Sequence, residues 1–163
     1  CTAVSTHDSA LGEQLVERIR AASGKPALAT SQALLAALAA LRAKRIVMLT
    51  PYPQAINDSE VAFFAHHGIE MLEERGLNLP REVPTNSVPP EEWRERLLAM
   101  RNARADAYFL SCTNIRALPV IETLEQELGA PVISSNQAML WRALRMAGIA
   151  DAVPGYGTLL RAH

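Results

Sequence analysis

The sequence is short of cysteine, of long apolar runs and of charge excess of either sign, and each shortage removes a class of protein. Two cysteines in 163 residues are too few to staple a disulfide-rich secreted scaffold. There is no charged-then-apolar leader and no apolar run long enough to cross a bilayer, so no membrane partner is expected and the expected setting is the reducing cytoplasm. The 16 basic and 17 acidic side chains nearly cancel. The basic ones are scattered, so nothing gathers the positive charge that a nucleic-acid backbone requires. Low-complexity linkers and short repeats are also missing. What is present is a chain that is 49% hydrophobic and 20% charged, enough for one core or for two small lobes sharing an interface.

Runs rich in Val, Ile and Leu alternate with longer segments of helical period, the pattern of a parallel α/β sheet with crossover helices. A first helix is predicted over Asp8 to Ser23, with Leu11, Leu15, Val16 and Ile19 on its apolar face and Gly24 as its stop. A short strand is predicted at Ala27 to Ala29, then an Ala/Leu-rich helix capped by Ser31 and ending at Leu41. The strand Arg45 to Thr50 stops at Pro51, and a helix from Pro53 or Gln54 to His67 leads to a strand over Ile69 to Glu73. Arg75 to Pro90, rich in Gly, Asn and Pro, reads as a long loop bordering a binding site. Beyond it the pattern predicts a helix over Glu91 to Ala103, a strand over Ala107 to Ser111, a helix over Ile115 to Leu128, a strand over Pro131 to Ser134 and a helix over Gln137 to Ala147. The glycine-rich tail from Pro154 is expected to return across the body as a loop or short turn. A Cys-Thr dipeptide at Cys1-Thr2 and again at Cys112-Thr113, each expected to open a helix, hints at two similar lobes.

In open parallel sheets ligands collect where strands end and helices begin. Cys112 follows the apolar strand Tyr108-Phe109-Leu110, and Cys1 precedes its own helix. Thiols at such junctions can act as acid, base or nucleophile, although a free cysteine is also a common small packing residue. The adjacent pair His66-His67 lacks useful spacing for a metal, and none is expected. Asp8 beside His7 reads as the negative charge of a helix N-terminus rather than as half of an acid–base pair. Asn57 either orients the turn before its helix or faces solvent, and Ser135 or Asn136 reads as a helix cap. Trp93 and Trp141 read as packing residues, and GYG at residues 155–157 is no dinucleotide fingerprint.

Five segments in order, CTAVS (1–5), LTPYPQAIND (49–58), FLSCTNI (109–115), PVISSNQAMLW (131–141) and GYGTLL (155–160), resemble the aspartate/glutamate racemase superfamily. The likeness is greatest to its maleate cis-trans isomerase and arylmalonate decarboxylase branches, and it runs the whole length of the chain. It implies two flavodoxin-like parallel-sheet lobes in pseudo-twofold relation, one catalytic cysteine from each lobe, and chemistry that needs no cofactor. By that resemblance Cys1 and Cys112 are the paired catalytic thiols. Thr2 and Ala3 with Tyr52 would hold one carboxylate of a small acid, and Thr113 and Asn114 would hold the other end. The decarboxylase branch replaces the first cysteine by glycine, so a chain with both leans toward isomerase or racemase.

The resemblance also implies two strand–helix units ahead of Cys1. The expectation is therefore a first lobe incomplete at its N-terminus, with residues 1–44 as its remnant, 45–147 as the second lobe and 148–163 as a tail returning to the first. An uncovered sheet edge would favour a homo-oligomer. The expected activity is cis–trans isomerisation of a small dicarboxylate such as maleate. Racemisation of aspartate, glutamate or a hydantoin, decarboxylation of an arylmalonate, and a silent small-acid-binding module remain open beside it.

Overall fold

Every strand of the sheet runs parallel, because each is separated from the next by a helix long enough to carry the chain back across a face. The computed structural model describes residues 2–80 and 82–163, with the backbone alone at Ser9. The strands are β1 (Arg45–Thr50), β2 (Glu70–Gly76), β3 (Ala107–Leu110) and β4 (Val132–Ser134), in the order β2-β1-β3-β4. The helices are α1 (Thr2–His7), α2 (Ser9–Ser23), α3 (Thr30–Ala40), α4 (Gln54–His66), α5 (Pro90–Leu98), α6 (Ile121–Leu128), α7 (Ser135–Met146) and α8 (Thr158–Ala162).

The period-two alternation of the strands builds a core on each face. Ile46, Met48, Phe109 and Ile133 point to one side, where Ala33, Leu34, Ala37 and Leu38 of α3, Phe63 and Phe64 of α4, and Ala138 and Trp141 of α7 cover them. Val47, Leu49, Tyr108, Leu110 and Val132 point to the other, beneath Trp93 and Leu97 of α5 and Ile121, Leu124 and Leu128 of α6. The two tryptophans are thus packing residues, as their helix positions predicted. The result is a doubly wound sheet whose order reverses between β1 and β3, and the carboxyl ends of those two strands flank the reversal.

Several boundaries differ from the sequence reading. Residues 27–29 are extended but join no sheet, and they lead to Ala29 as the N-cap of α3. There the Gln32 side chain accepts the Ala29 N–H at 3.0 Å, while Ser31 lies inside the helix. β2 continues to Gly76. α5 stops at Leu98, short of Ala103. The helix predicted from Ile115 begins only at Ile121, after a single 3-10 turn over Leu118–Val120; Pro119 disfavours helical backbone in the residue before it. Thr113 and Asn114 are therefore a turn, and Cys112 does not open a helix.

The tail, expected as a loop, closes in the short helix α8. Gly157, at φ 86°, lets the chain pass against Ile121, and the Glu125 carboxylate accepts the Thr158 N–H at 2.7 Å and its hydroxyl at 2.8 Å. Leu159 and Leu160 are then buried in the core beside α7. On α2 only Val16 of the expected apolar face is buried. Leu11, Leu15 and Ile19 are exposed along a groove shared with Leu28 and Met139. No helix among the described residues is long and apolar enough to cross a membrane.

Candidate active site

Tyr52 is set two residues beyond β1 by restraints that begin in the strand. The Thr50 hydroxyl accepts the Tyr52 N–H at 3.0 Å and donates to Asn57 Oδ1 at 2.7 Å. Asn57 is fully buried and donates through Nδ2 to Glu74 of β2 at 2.5 Å, so it orients the turn rather than facing solvent. Gly76 completes the clamp. A Cβ there would lie 2.1 Å from the Tyr52 carbonyl oxygen and 2.9 Å from Asn57 Nδ2, so only glycine allows the approach.

Cys112 lies across the switch point, one residue beyond Ser111 at the end of β3. It is 4% exposed and adopts φ 129°, a conformation that residues with a side chain rarely take. Its N–H donates to Ser135 Oγ at 3.1 Å, and its sulfur accepts the Asn114 N–H at 3.3 Å. The same Ser135 hydroxyl accepts from Thr2 Oγ1 at 2.8 Å, so one buried serine ties the end of β3 to the start of α1. Ser135 is therefore a site residue and not the cap it was read as. The cap is Ser134, whose oxygen accepts the Gln137 N–H while Gln137 reaches back to the Ser134 N–H.

The phenol of Tyr52 reaches this corner. Its oxygen is buried and has no hydrogen-bond partner among the described residues, although the Cys112 thiol and the Ala3 backbone border it. Burial pushes the phenol well above its ordinary 10.0, the neighbouring Cys112 and the charge of Glu60 push the same way, and the Ala3 backbone opposes them. Tyr52, Thr2, Ala3 and Cys112 thus gather at one place. Thr113 is half-buried beside them. Asn114 contributes its N–H to the sulfur, while its exposed side chain donates to Thr85 Oγ1 at 2.7 Å and ties the proline-rich loop to the turn after β3. Cys1 lies outside the described residues.

The residue that sequence reasoning passed over is Glu60. It sits on the inner face of α4 with Asn57, Phe63 and Phe64, and it is completely buried. One carboxyl oxygen accepts from Ser111 Oγ at 3.0 Å; the other has no partner among the described residues. Burial raises its pKa from 4.5 to about 7, with the Ser111 hydroxyl pulling the other way. No group of three or more His, Cys, Asp or Glu side chains among the described residues could hold a metal ion. His7 bonds Ser59 across the outer side of α4, and Asp8 caps α2 by accepting the Leu11 N–H at 2.8 Å.

A doubly wound parallel sheet with a buried thiol and a phenol at its switch point defines a class of α/β small-ligand protein. Within it, the chain belongs to the arylmalonate decarboxylase family of the aspartate/glutamate racemase superfamily, whose model matches residues 3–160. It is 33% identical over 157 residues to a maleate isomerase of Nocardia farcinica, covering 94% of this chain and 61% of that one. It is also 33% identical over 161 residues to an arylmalonate decarboxylase of Bordetella bronchiseptica, covering 93% and 64%. Among solved structures, a cysteine-to-serine mutant of Nocardia farcinica maleate cis-trans isomerase with a covalently bound succinylcysteine intermediate superimposes with a TM-score of 0.90 at 27% identity, covering 100% of this chain and 69% of that one. An arylmalonate decarboxylase superimposes with a TM-score of 0.87 at 30% identity, covering 98% and 72%. The chain thus spans less than two thirds of the length of these curated relatives.

Proposed function

We propose that the protein is a cofactor-independent cis–trans isomerase of a small dicarboxylic acid of the maleate type, with Cys1 as nucleophile and Cys112 as proton donor. The observation that carries this reading is the placement of Cys112: a buried sulfur on a strained backbone at the switch point, with the Tyr52 phenol against it. The succinylcysteine adduct in the Nocardia farcinica relative supports it, because a succinyl group is what thiol addition to maleate leaves behind.

In this reading the Cys1 thiolate adds to one alkene carbon, a carbon–sulfur bond forms, and the π pair moves to the neighbouring carbon. There it takes the proton of the Cys112 thiol. The central bond is now single and rotates. The Cys112 thiolate removes that proton again, the pair restores the double bond, and the carbon–sulfur bond breaks to release fumarate and the Cys1 thiolate. Charge develops on the substrate carboxylate next to the carbanion, where Tyr52 and the N–H groups of Thr2 and Ala3 would stabilise it. Thr113 and Asn114 would hold the second carboxylate. Residues 45–147 would form one lobe together with α3 and α8, which pack into its core, and the segment ahead of α3 would meet a partner lobe. A reducing cytoplasm suits a free thiol at Cys112, and the exposed Leu11, Leu15 and Ile19 support self-association.

Maleate incubated with the intact protein should give fumarate, followed by proton NMR, and Cys112→Ala should abolish the conversion. A second reading, decarboxylation of an arylmalonate, is favoured by the family model and by the Bordetella relative and opposed by Cys1. Release of carbon dioxide from phenylmalonate without maleate turnover would establish it instead. Deuterium entering the α-carbon of aspartate or glutamate, again without maleate turnover, would point to racemisation.

A further inference from the structure

Ser135 stands in the first turn of α7 but takes no part in capping it, because Ser134 and Gln137 share that work. Its hydroxyl is directed instead at the corner around Cys112, where it takes the Cys112 N–H at 3.1 Å and meets Thr2 Oγ1 at 2.8 Å. Ser135 and Thr2 are both fully buried.

Hydrogens outnumber acceptors at this corner. A backbone N–H can only donate, so Ser135 accepts from Cys112 in every arrangement, whereas either hydroxyl can donate to the other. Two hydroxyls that share one bond use one of their two hydrogens. The second has no acceptor among the described residues: with Thr2 donating it belongs to Ser135, and with Ser135 donating it belongs to Thr2. A buried donor without an acceptor costs free energy. Tyr52 Oη, which borders the Cys112 thiol and the Ala3 backbone, is another buried hydroxyl with no partner among the described residues. An acceptor-only group would satisfy both, and a carboxylate is one.

We propose that Ser135 is a positioning residue that turns its hydrogen onto Thr2 when a carboxylate binds, so that donors run in one direction from the Cys112 N–H through Ser135 and Thr2 to the anion. The inference rests on the isomerase reading only for the identity of that anion and for the role of Cys112. While Thr2 donates to Ser135, it has no hydrogen to offer a ligand. Once Ser135 donates to Thr2, each bond polarises the next and the Thr2 hydrogen passes to the anion. Because the chain begins at the backbone of Cys112, anchoring the carboxylate strengthens the hold on the turn that carries the thiol at φ 129°.

Calorimetric titration of the intact protein with succinate, a saturated dicarboxylate that cannot react, tests this through a double-mutant cycle. Thr2→Val removes the terminal hydroxyl at nearly constant volume, and Ser135→Ala removes the link behind it. Thr2→Val should weaken succinate binding about thirtyfold and Ser135→Ala about tenfold, whereas Ser135→Ala introduced into the Thr2→Val protein should cost about twofold at most. A serine that merely braced the turn after β3 against α1 would cost the same factor in both backgrounds, and that result would overturn the proposal.

A second measurement does not depend on the stability of Ser135→Ala. In protein carrying isotope-labelled cysteine, with the Cys112 signal identified by its loss in Cys112→Ser, saturating succinate should move the Cys112 amide proton downfield in the wild type, and by less than about half as much in Thr2→Val. Equal shifts in the two proteins, or no succinate binding by the wild type, would also overturn the proposal. The predicted cycle without conversion of maleate would uphold the relay and reject the isomerase reading alone. Conversion of maleate with an additive cycle would reject the relay alone.

Discussion

Replacing Glu60 by Gln should change how stability depends on pH, and the size of the change follows from the burial of the carboxyl. In the unfolded chain the group titrates near 4.5 and in the folded protein near 7, because the charged form loses water on burial. A carboxyl raised on folding stabilises the native state least where it must ionise. Its unfavourable contribution is absent below 4.5, grows as pH rises toward 7, and is constant above that. The shift of 4.5 to about 7 corresponds to about 3 kcal/mol in full, of which roughly 2 to 3 kcal/mol falls between about pH 5 and about pH 8. Urea unfolding of wild type and E60Q at those two pH values gives four free energies, and their double difference isolates Glu60. The absolute cost of burying an amide cancels. So does Asp106, whose carboxyl is held down to about 2 by Arg45 and by the Lys44 and Arg45 N–H groups. The wild type should lose roughly 2 to 3 kcal/mol relative to E60Q as pH rises. Parallel profiles, within about 0.5 kcal/mol, would mean that Glu60 ionises freely in the folded protein and would refute the reasoning.

The strained backbone at Cys112 predicts an inversion of the usual order of small residues: Cys112→Gly should be more stable than Cys112→Ala by about 1 kcal/mol, although glycine normally costs 0.5–1 kcal/mol or so against alanine. Urea midpoints of the two variants check it, and a clearly more stable alanine variant would show that φ 129° is not strained. Gly76→Ala should lower the melting temperature and shift Tyr52, since a Cβ cannot sit 2.1 Å from the Tyr52 carbonyl oxygen. A destabilisation of about 2 kcal/mol or more with weakened succinate binding is expected, read by thermal unfolding and calorimetry.

What the sequence revealed of the fold was what hydrophobic period encodes. The buried run RIVMLT, bounded by Lys44 and Pro51, marked β1 without error, and the alternation of strands and helices specified the parallel sheet. Cys112 was legible because it follows a strand end, where the physics of open sheets puts ligands, whereas Tyr52 was named by the resemblance alone. Ser135 was missed for want of one distinction. Ser134 and Gln137 form a capping pair at the right spacing, which leaves the next serine free for the site. Glu60 was harder to see, since a lone glutamate on a helix ordinarily faces water. Its position three residues after Asn57 and three before Phe63 was the available signal. The exposed stripe of α2 could not be read at all, because period shows that a face is apolar and not what covers it.

The two chemical groups at the switch point are held in different ways, and the difference bears on what each can do. Tyr52 is fixed through its backbone: Thr50 holds its N–H, its carbonyl is packed on Gly76, and Asn57 braces Thr50 against β2. Its phenol is therefore carried by a rigid turn, as the proposed role of fixed donor to an anion would require. Cys112 is fixed by a strained φ and by an N–H bond to Ser135, whose hydroxyl also receives Thr2. That serine couples the sulfur's position to the start of α1, so any movement of α1 is felt at the thiol. The proposed two-thiol reaction would need that coupling, because a proton donor just beyond β3 would be useful only in register with whatever the segment around Thr2 presented from the other side of the substrate.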